Sequence, residues 1–509
     1  MRLRVALTIL FLMAGLATRT QVAAALPSTL IPLRAQVLVI GGNPAGIAAA
    51  LAAARAGMTV LLLEVRDELG GDITGAWLNT FDMNWGPNRE HLTQGIFLEA
   101  YRALGQTFDV DQARAFFRGL LENQPGLTVL LRTRVVSPLL RENSIVGVVA
   151  ISDQHRVPLS ILADEVIDAT DDAAVAVASG VPYTVGREES GLDRRMQAAT
   201  LIFRLAGVDQ TAVFDYLRAH EKPVGRGGAW GRHAWGYAQI ASQYQPRNPR
   251  IGLFDLNLGW QTDGTVLVNA VQIYDVDGTD EQSMREGRAV ALAELPSVVA
   301  FLRTAAPGFE KAVLIAAAPH LYIRETRHTI GMYRMEVDDI LQGRDFYDKV
   351  AVASYPIDIH PYKPGQLNVY SAVRRVYSIP YRVLVPTGID HLQVAGKAVS
   401  ATYTAFGSLR VIPTAMALGE AAGRAAALAV ATSRSPRQNA EDRTLIVTLQ
   451  KNLTAEGAFI ANPKDLLSAS PRPRSQGPSA SAGRPPARRA IRKSPKKTEV
   501  PQPLPLANQ

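Results

Sequence analysis

The stretch QVLVIGGNPAGIAAALAAARAGMTVLLLE, residues 36–64, decides the fold. Gln36 to Ile40 is an unbroken aliphatic run, as expected of a strand buried on both faces. Gly41-Gly42-Asn43-Pro44-Ala45-Gly46 follows as a turn, and Ile47 to Arg55 is rich in alanine, the best helix former. Gly57 stops that helix, Thr59 to Leu63 makes a second buried strand, and Glu64 ends it. Strand, glycine turn, helix, strand and acid, in that order, form a dinucleotide-binding fingerprint. Gly41 permits the tight turn, and Gly46 lets helix and strand backbones pack closely. The helix N-terminus offers unpaired N–H groups and the positive end of a dipole to a pyrophosphate. Glu64, 18 residues after Gly46, is placed to accept from ribose hydroxyls. Asn43 occupies the usual second glycine, where close backbone approach to the pyrophosphate matters. Asparagine tolerates left-handed backbone better than most residues, so the departure is expected to weaken the site and not to abolish it.

Working outward, a second glycine pair, Gly70-Gly71, comes just after the acid. Helical stretches are expected near His91–Leu104 and Asp111–Glu122, then strands at Leu127–Arg132, Arg134–Leu140 and Ile145–Ile151. The segment Glu165–Asp172 closes the block. An antiparallel meander set before the last parallel strand separates this layout from a plain repeat of αβ units. The predicted fold class is therefore α/β. A Rossmann-like dinucleotide domain at 33–185 and 386–435 carries the meander, and a mixed α+β substrate domain is inserted at 186–385.

The motifs GGNPAGIAAALAAARAG (41–57), LGGDITGAWL (69–78), EVIDATDDAAVAVASGVPYTVGRE (165–188), YIRETRHTIGMY (322–333), YPIDIH (355–360) and VAGKAVSATYTAFGSLRVIPTAMALGEAAG (394–423) resemble the FAD-dependent oxidoreductase family. That family has a glutathione-reductase-type FAD fold and is loosely related to the flavin subunit of heterodisulfide reductases. The resemblance runs from about Gln36 to about Val430 and implies non-covalent FAD in a two-domain fold. It also implies FAD contacts. Ala169-Thr170-Asp171 is similar to the second flavin motif, with Asp171 where glycine is common. Val135 falls where such proteins touch adenine through the backbone. Ala395-Gly396-Lys397 resembles the third motif, near the ribityl chain. Ser408-Leu409-Arg410 leads into a helix of small residues from Pro413, a suitable first-turn residue. Those small residues permit close approach to a sheet, and the helix N-terminus would face the flavin's pyrimidine end. The chain has no cysteine, so the cysteine-ligated clusters of heterodisulfide reductases, and that activity, do not transfer.

In the inserted domain, Leu201–Leu205, Gly252–Leu258 and Thr265–Ile273 read as strands, and Gln282–Glu294 and Leu295–Ala305 as helices. Gly225 to Gly236, with five glycines and two tryptophans, reads either as a lid over an active site or as a flexible loop. Candidate chemical residues are Arg324, Glu325, Arg327, His328, Asp358, His360, Tyr381 and Arg410, of which Arg324, His328, His360 and Arg410 are the catalytic candidates. The arginines suit a carboxylate or the electron-rich edge of a reduced flavin, and a histidine can take a proton during hydride transfer. Arg324-Glu325 also reads as an internal ion pair. Asp358 and His360 share a strand face but lack a third ligand, so no metal site is expected. No nucleophile elbow is present.

Composition bounds the partners. The chain of 509 residues has 54 basic and 46 acidic residues, a net +8. Nine basic residues and one acid lie in Ser470–Gln509, so the whole excess sits in a Pro/Ser-rich stretch expected to be disordered from about 466. Met1 to Ala25 has a basic start, an apolar run of 13 residues and Ala23-Ala24-Ala25, the pattern of a signal peptide. Export to the periplasm or the medium is the expectation; otherwise the chain is cytoplasmic. Without both segments the body carries −3, which gives no reason to expect a nucleic-acid partner. No stable membrane span is expected. The overall reading is an FAD-dependent oxidoreductase oxidising a small organic substrate, with a separate electron acceptor. Two alternatives stay open: an NAD(P)-dependent dehydrogenase, and a flavoprotein fold reduced to a binding module.

Overall fold

A computed structural model describes residues 30–468 except 154, 223–225, 367 and 374. The leader reading (1–25) and most of the tail reading (466–509) therefore fall outside the described residues.

The fingerprint folds as an α/β unit. Strand β1 (Ile31–Ile40) runs parallel to β2 (Val60–Leu63), which runs parallel to β3 (Leu127–Leu130). Between β1 and β2 lies the helix Pro44–Arg55, buried along almost its whole length. Strands β4 (Thr133–Arg141) and β5 (Ser144–Ser152) are antiparallel, and β6 (His155–Asp168) runs parallel to β1 across its whole length. The opposite edge of β6 is divided. Its first part pairs antiparallel with β5, and Val166–Asp168 pairs parallel with the strand Leu392–Val394. One long strand therefore supports both the meander and the late return of the chain. The meander is as expected, but β6 begins ten residues before Glu165, because its first half is needed to hold β5.

The second sheet has six antiparallel strands: Val313–Ala317, Ala199–Ala206, Val266–Ile273, Ile251–Trp260, His233–Gly236 and Gly228–Trp230. The helix Glu281–Ala305 packs on it and continues through Pro296 as one helix of 25 residues, where the sequence suggested two. The glycine-tryptophan segment is neither lid nor loose loop where it is described. Gly228–Trp230 and His233–Gly236 form an edge hairpin of this sheet. Gly225 lies outside the described residues.

The chain rejoins the first core well before residue 386. Met335, Ile340, Val350, Tyr377, Ile379 and Tyr381 are all buried in the same hydrophobic cluster as the fingerprint helix. The span around 199–321, joined by Val110, builds the second core. Residues after 435 also add structure: Ile446, Leu449 and Leu453 of the helix Arg443–Ala455 join the first core. Leu466 packs against a small cluster of Leu92, Val352 and Val376 within the helix Pro463–Ser468. The structured body thus runs past the expected start of the tail. No helix among the described residues is long and apolar enough to cross a membrane.

Candidate functional site

Three neighbouring parallel strands, β1, β6 and Leu392–Val394, end side by side. Each is followed by one of the loops singled out from the sequence: Gly41–Gly46, Ala169–Asp171 and Ala395–Lys397. Such a row of strand ends is where open α/β sheets bind ligands. Gly41 has φ +106°, and a Cβ there would lie 2.6 Å from the carbonyl oxygen of Ala169. A Cβ on Gly46 would lie 1.8 Å from the Gly41 oxygen. Both positions therefore require glycine. The N–H of Gly42 donates to Glu64 Oε2 at 2.6 Å, and the Arg66 N–H donates to Glu64 Oε1 at 2.7 Å. Each carboxylate oxygen keeps a lone pair for a further donor such as a ribose hydroxyl. Burial raises the Glu64 carboxyl pKa despite these bonds. Gly70 N–H donates to the Gly42 carbonyl at 2.8 Å, and Gly71 packs on Asn43 so closely that a Cβ would fall 2.7 Å from its Cβ. The second glycine pair thus supports the first loop from behind.

Asn43 corrects the sequence reading. Its φ is −77°, so left-handed tolerance is not the reason for asparagine here. Its side chain accepts from Gly46 N–H at 3.1 Å as the cap of the helix Pro44–Arg55. Its amide donates to the Ala169 carbonyl at 2.6 Å and to Asp171 Oδ1 at 3.0 Å. The two departures from the family pattern are therefore bonded to each other. Lys397 joins them: its ammonium lies 3.3 Å from Asp171 Oδ1, donates to Asp72 Oδ2 at 2.7 Å and to the Ile323 carbonyl at 2.8 Å. Burial alone would lower the Lys397 pKa, but Asp171 and Asp72 hold it above its usual range. Neither Lys397 nor Asp72 was marked as a clasp by sequence; the pairing of two unexpected polar residues was the available signal. Thr170 turns inward, its hydroxyl donating to Asp168 at 2.6 Å. Burial pushes that carboxyl up to about 6 against three hydrogen bonds.

The helix Ile412–Thr432 starts at Val411 with Pro413 in its first turn and no side-chain cap, although Ile412, Thr414 and Ala415 are buried. A buried, uncapped N-terminus leaves N–H groups for an anionic partner. The small face of this helix meets the helix Pro44–Arg55 rather than a sheet. A Cβ on Gly419 would lie 2.0 Å from Ala45 O, and one on Gly423 would lie 2.1 Å from Ala49 O. Of the residues ahead of it, Ser408 bonds to Tyr377 (2.7 Å) and to the Tyr355 carbonyl, and Leu409 lies in the core. Val135 sits near the start of β4, whose first residue, Thr133, donates its N–H to the Glu64 carbonyl.

A buried polar cluster gathers around Arg410. Its Nη2 donates to Asp358 Oδ2 at 2.8 Å and its Nη1 to the Tyr322 hydroxyl at 3.0 Å. His360 Nε2 lies 3.4 Å from the same Asp358 oxygen, and Gln272 contacts His360 Nδ1 at 3.0 Å. Burial would raise the Asp358 carboxyl, yet His360, Arg410 and Arg324 hold it well below the usual range. Burial and Arg324 push His360 down to about 4, so at neutral pH the imidazole is uncharged and the guanidiniums keep Asp358 ionised. Arg324, 3% exposed, donates to the Ala198 carbonyl and Thr200 Oγ1, both at 2.7 Å, and stacks on the Tyr322 ring. It forms no ion pair with Glu325, whose Oε1 accepts instead from Gln197 N–H.

His328 is separate from this cluster: its ring packs edge-on against Phe406, with neither ring nitrogen hydrogen-bonded. Arg327 pairs with Asp172 at 3.0 Å, beside the second motif. Tyr381 lies in the core, bonded to Gln393. Gln272 and Thr200 carried no motif and were missed; Tyr322 opens the motif at 322–333 but was not singled out.

The glycine cradle, the remaining acceptor capacity of Glu64 and the uncapped buried helix end fit a bound dinucleotide with a negatively charged diphosphate and flavin edge. A thiamine thiazole synthase from Desulfosudis oleivorans is 29% identical over 170 residues, 31% of this chain, and the match spans 65% of that protein's length. Among solved structures, a geranylgeranyl bacteriochlorophyll reductase-like protein from Thermoplasma acidophilum is 14% identical, with 86% of this chain and 90% of that chain covered and a TM-score of 0.42. The p-nitrophenol 4-monooxygenase PnpA from Pseudomonas putida is 11% identical, with 86% and 92% covered and a TM-score of 0.42. Residues 36–453 match the family described as FAD dependent oxidoreductase. With most of its length matched, this chain belongs to the FAD-dependent oxidoreductase family.

Proposed function

We propose that this FAD-dependent enzyme oxidises a small organic substrate at the polar cluster of Arg324, Asp358, His360 and Arg410. The supporting observation is continuity: Arg410 anchors that cluster, and two residues later the chain enters the uncapped helix end at Ile412. FAD, when bound, supplies a two-electron acceptor for a hydride. The chain's own groups do the rest. Gly41–Gly46 and Glu64 hold the nucleotide half, and the helix end at Ile412 favours negative charge beside it. The segment Ile323–Arg327, which carries Arg324, is tied at one end to Lys397 and at the other to Asp172. Asp358 orients Arg410 and His360. The neutral imidazole of His360 can accept a proton from a substrate O–H or N–H as hydride leaves the adjacent carbon.

Anaerobic mixing with a panel of alcohols, amines and hydroxy acids tests this reading, followed by loss of the flavin absorption band. Deuterium at the donor carbon is expected to slow the bleaching. Reduction only by a nicotinamide, followed by oxygen uptake with an aromatic acceptor, would refute it in favour of monooxygenase chemistry. We also propose export by cleavage after Ala25; the mature N-terminus is then Leu26, and an intact Met1 in active protein counts against it.

A further inference from the structure

We infer that the substrate carries a single carboxylate, gripped by the guanidiniums of Arg324 and Arg410; this rests on the proposed oxidation at that cluster. The basis is a set of donors left without partners. A guanidinium has five N–H donors and no acceptor. Arg410 is 6% exposed and Arg324 3%, and in both the Nε has no partner. Arg324 makes no ion pair among the described residues, although it is fully enclosed. Burial, with Arg410 adding repulsion, pushes its pKa down to about 10. Burying a cation without a counter-ion is costly and marks a site kept for something else.

The two side chains share one support. Arg324 stacks on the Tyr322 ring at 4.8 Å, and Arg410 donates to the Tyr322 hydroxyl at 3.0 Å. Of the two guanidiniums, Arg410 is paired directly with a carboxylate, Asp358, and Arg324 with none among the described residues. His360 is neutral. Asp82 and Asp255 lie nearby, raised by burial to about 6 and about 7, but neither reaches ion-pair distance of Arg324 or Arg410 among the described residues. A carboxylate has two in-plane oxygens that match two N–H edges, whereas a phosphate dianion brings a second charge beside the carboxylates of Asp358 and Asp82.

The contrast with Lys397 makes the point internally. That ammonium is also buried, yet all of its neighbours are acceptors and two are carboxylates. Arg324 has only neutral acceptors. The first is built to hold the chain together, and the second is left short of an anion.

The test uses the full-length, FAD-loaded protein and a series of monocarboxylates from acetate to benzoate, with benzamide as the uncharged isostere and inorganic phosphate as a competing anion. Binding is read from the flavin absorption spectrum and the melting temperature. At least one carboxylate is expected to perturb the flavin saturably, with benzamide at least tenfold weaker than benzoate and phosphate without effect. Arg324→Met should weaken carboxylate binding at least tenfold at unchanged FAD content. Equal binding of benzoate and benzamide, competition by phosphate at the same concentration, or an undiminished Arg324→Met would overturn the inference. The wild-type comparison decides the matter even where that variant does not fold. Holoprotein that bleaches with organic donors but ignores every carboxylate sinks this inference alone. Holoprotein that binds carboxylates but is bleached by no organic donor sinks the oxidation reading instead.

Discussion

Replacing Asn43 by glycine restores the usual fingerprint and so separates two accounts of this site. If asparagine is a defect, Asn43→Gly should tighten FAD binding and leave stability alone. The structure says the reverse. The substitution removes an amide bond to the buried Ala169 carbonyl at 2.6 Å, a bond to the Asp171 carboxylate at 3.0 Å and the cap on Gly46 at 3.1 Å. An orphaned buried carbonyl costs about 1–3 kcal/mol and a lost bond to a charged acceptor about 1.5–3 kcal/mol. Exchange of the cap for glycine adds only a few tenths. Asp171 is partly exposed and water will recover part of its loss, so the expected total is about 2–4 kcal/mol. Thermal melts of apo protein read this without reference to activity, and fluorescence titration gives FAD affinity. Apo Asn43→Gly should melt below wild type, and the affinity should fall. The double variant Asn43→Gly/Asp171→Gly should lose less than the sum of the single variants, by about 0.5–3 kcal/mol of coupling. An apo Asn43→Gly that melts at or above wild type, or binds FAD more tightly, refutes the clasp.

Four further outcomes follow from the same geometry. Lys397→Met leaves Asp72 and Asp171 facing each other and should cost about 3 kcal/mol at neutral pH, the low end for a broken buried pair. Without the ammonium the folded pKa of Asp72, already raised by burial, moves further above its unfolded value. The deficit should therefore be full above that folded pKa and shrink as pH falls, which denaturant melts between neutral and mildly acidic pH will show. Gly419→Ala puts a methyl 2.0 Å from Ala45 O, and chemical denaturation should record a loss near or above the upper end of about 1–3 kcal/mol. Gly119→Ala, in the helix Val110–Glu122 with nothing within 4 Å of the added methyl, should instead gain about 0.4–1 kcal/mol. Ending the chain after Ala469 should leave the melting temperature unchanged, whereas ending it after Asp465 should lower it, because Leu466 packs with Leu92, Val352 and Val376.

The fingerprint was readable because each of its residues answers to a local demand: an aliphatic run for a doubly covered strand, glycine for the turn, alanine for the helix. The meander was readable for the same reason. What escaped depends on distant contacts. Nothing local in Met335–Tyr381 tells that these residues join the same hydrophobic core as the fingerprint helix, far away in sequence, so the boundary at 386 fell too late. Pro296 divides the sequence pattern into two helices, but packing on the antiparallel sheet carries one helix through it. The glycine-tryptophan segment has the composition of a loop and is held as a hairpin by pairing of His233–Gly236 with Leu256–Gly259. At the site, Arg410, Asp358 and His360 were visible as residue types, but their convergence and the shared support of Tyr322 are properties of the tertiary fold.

The clasp bears on how a departure from a family motif should be weighed. Asn43 and Asp171, taken singly, each count against a working nucleotide site. Taken together they are one feature, since the amide of the first donates to the carboxylate of the second and Lys397 neutralises the result. A chain that had lost its ligand would have no reason to keep a buried cation and two carboxylates in register across three loops. Burial of such groups is costly unless each is answered, and here each is. The departures therefore argue for a site maintained by an alternative set of bonds.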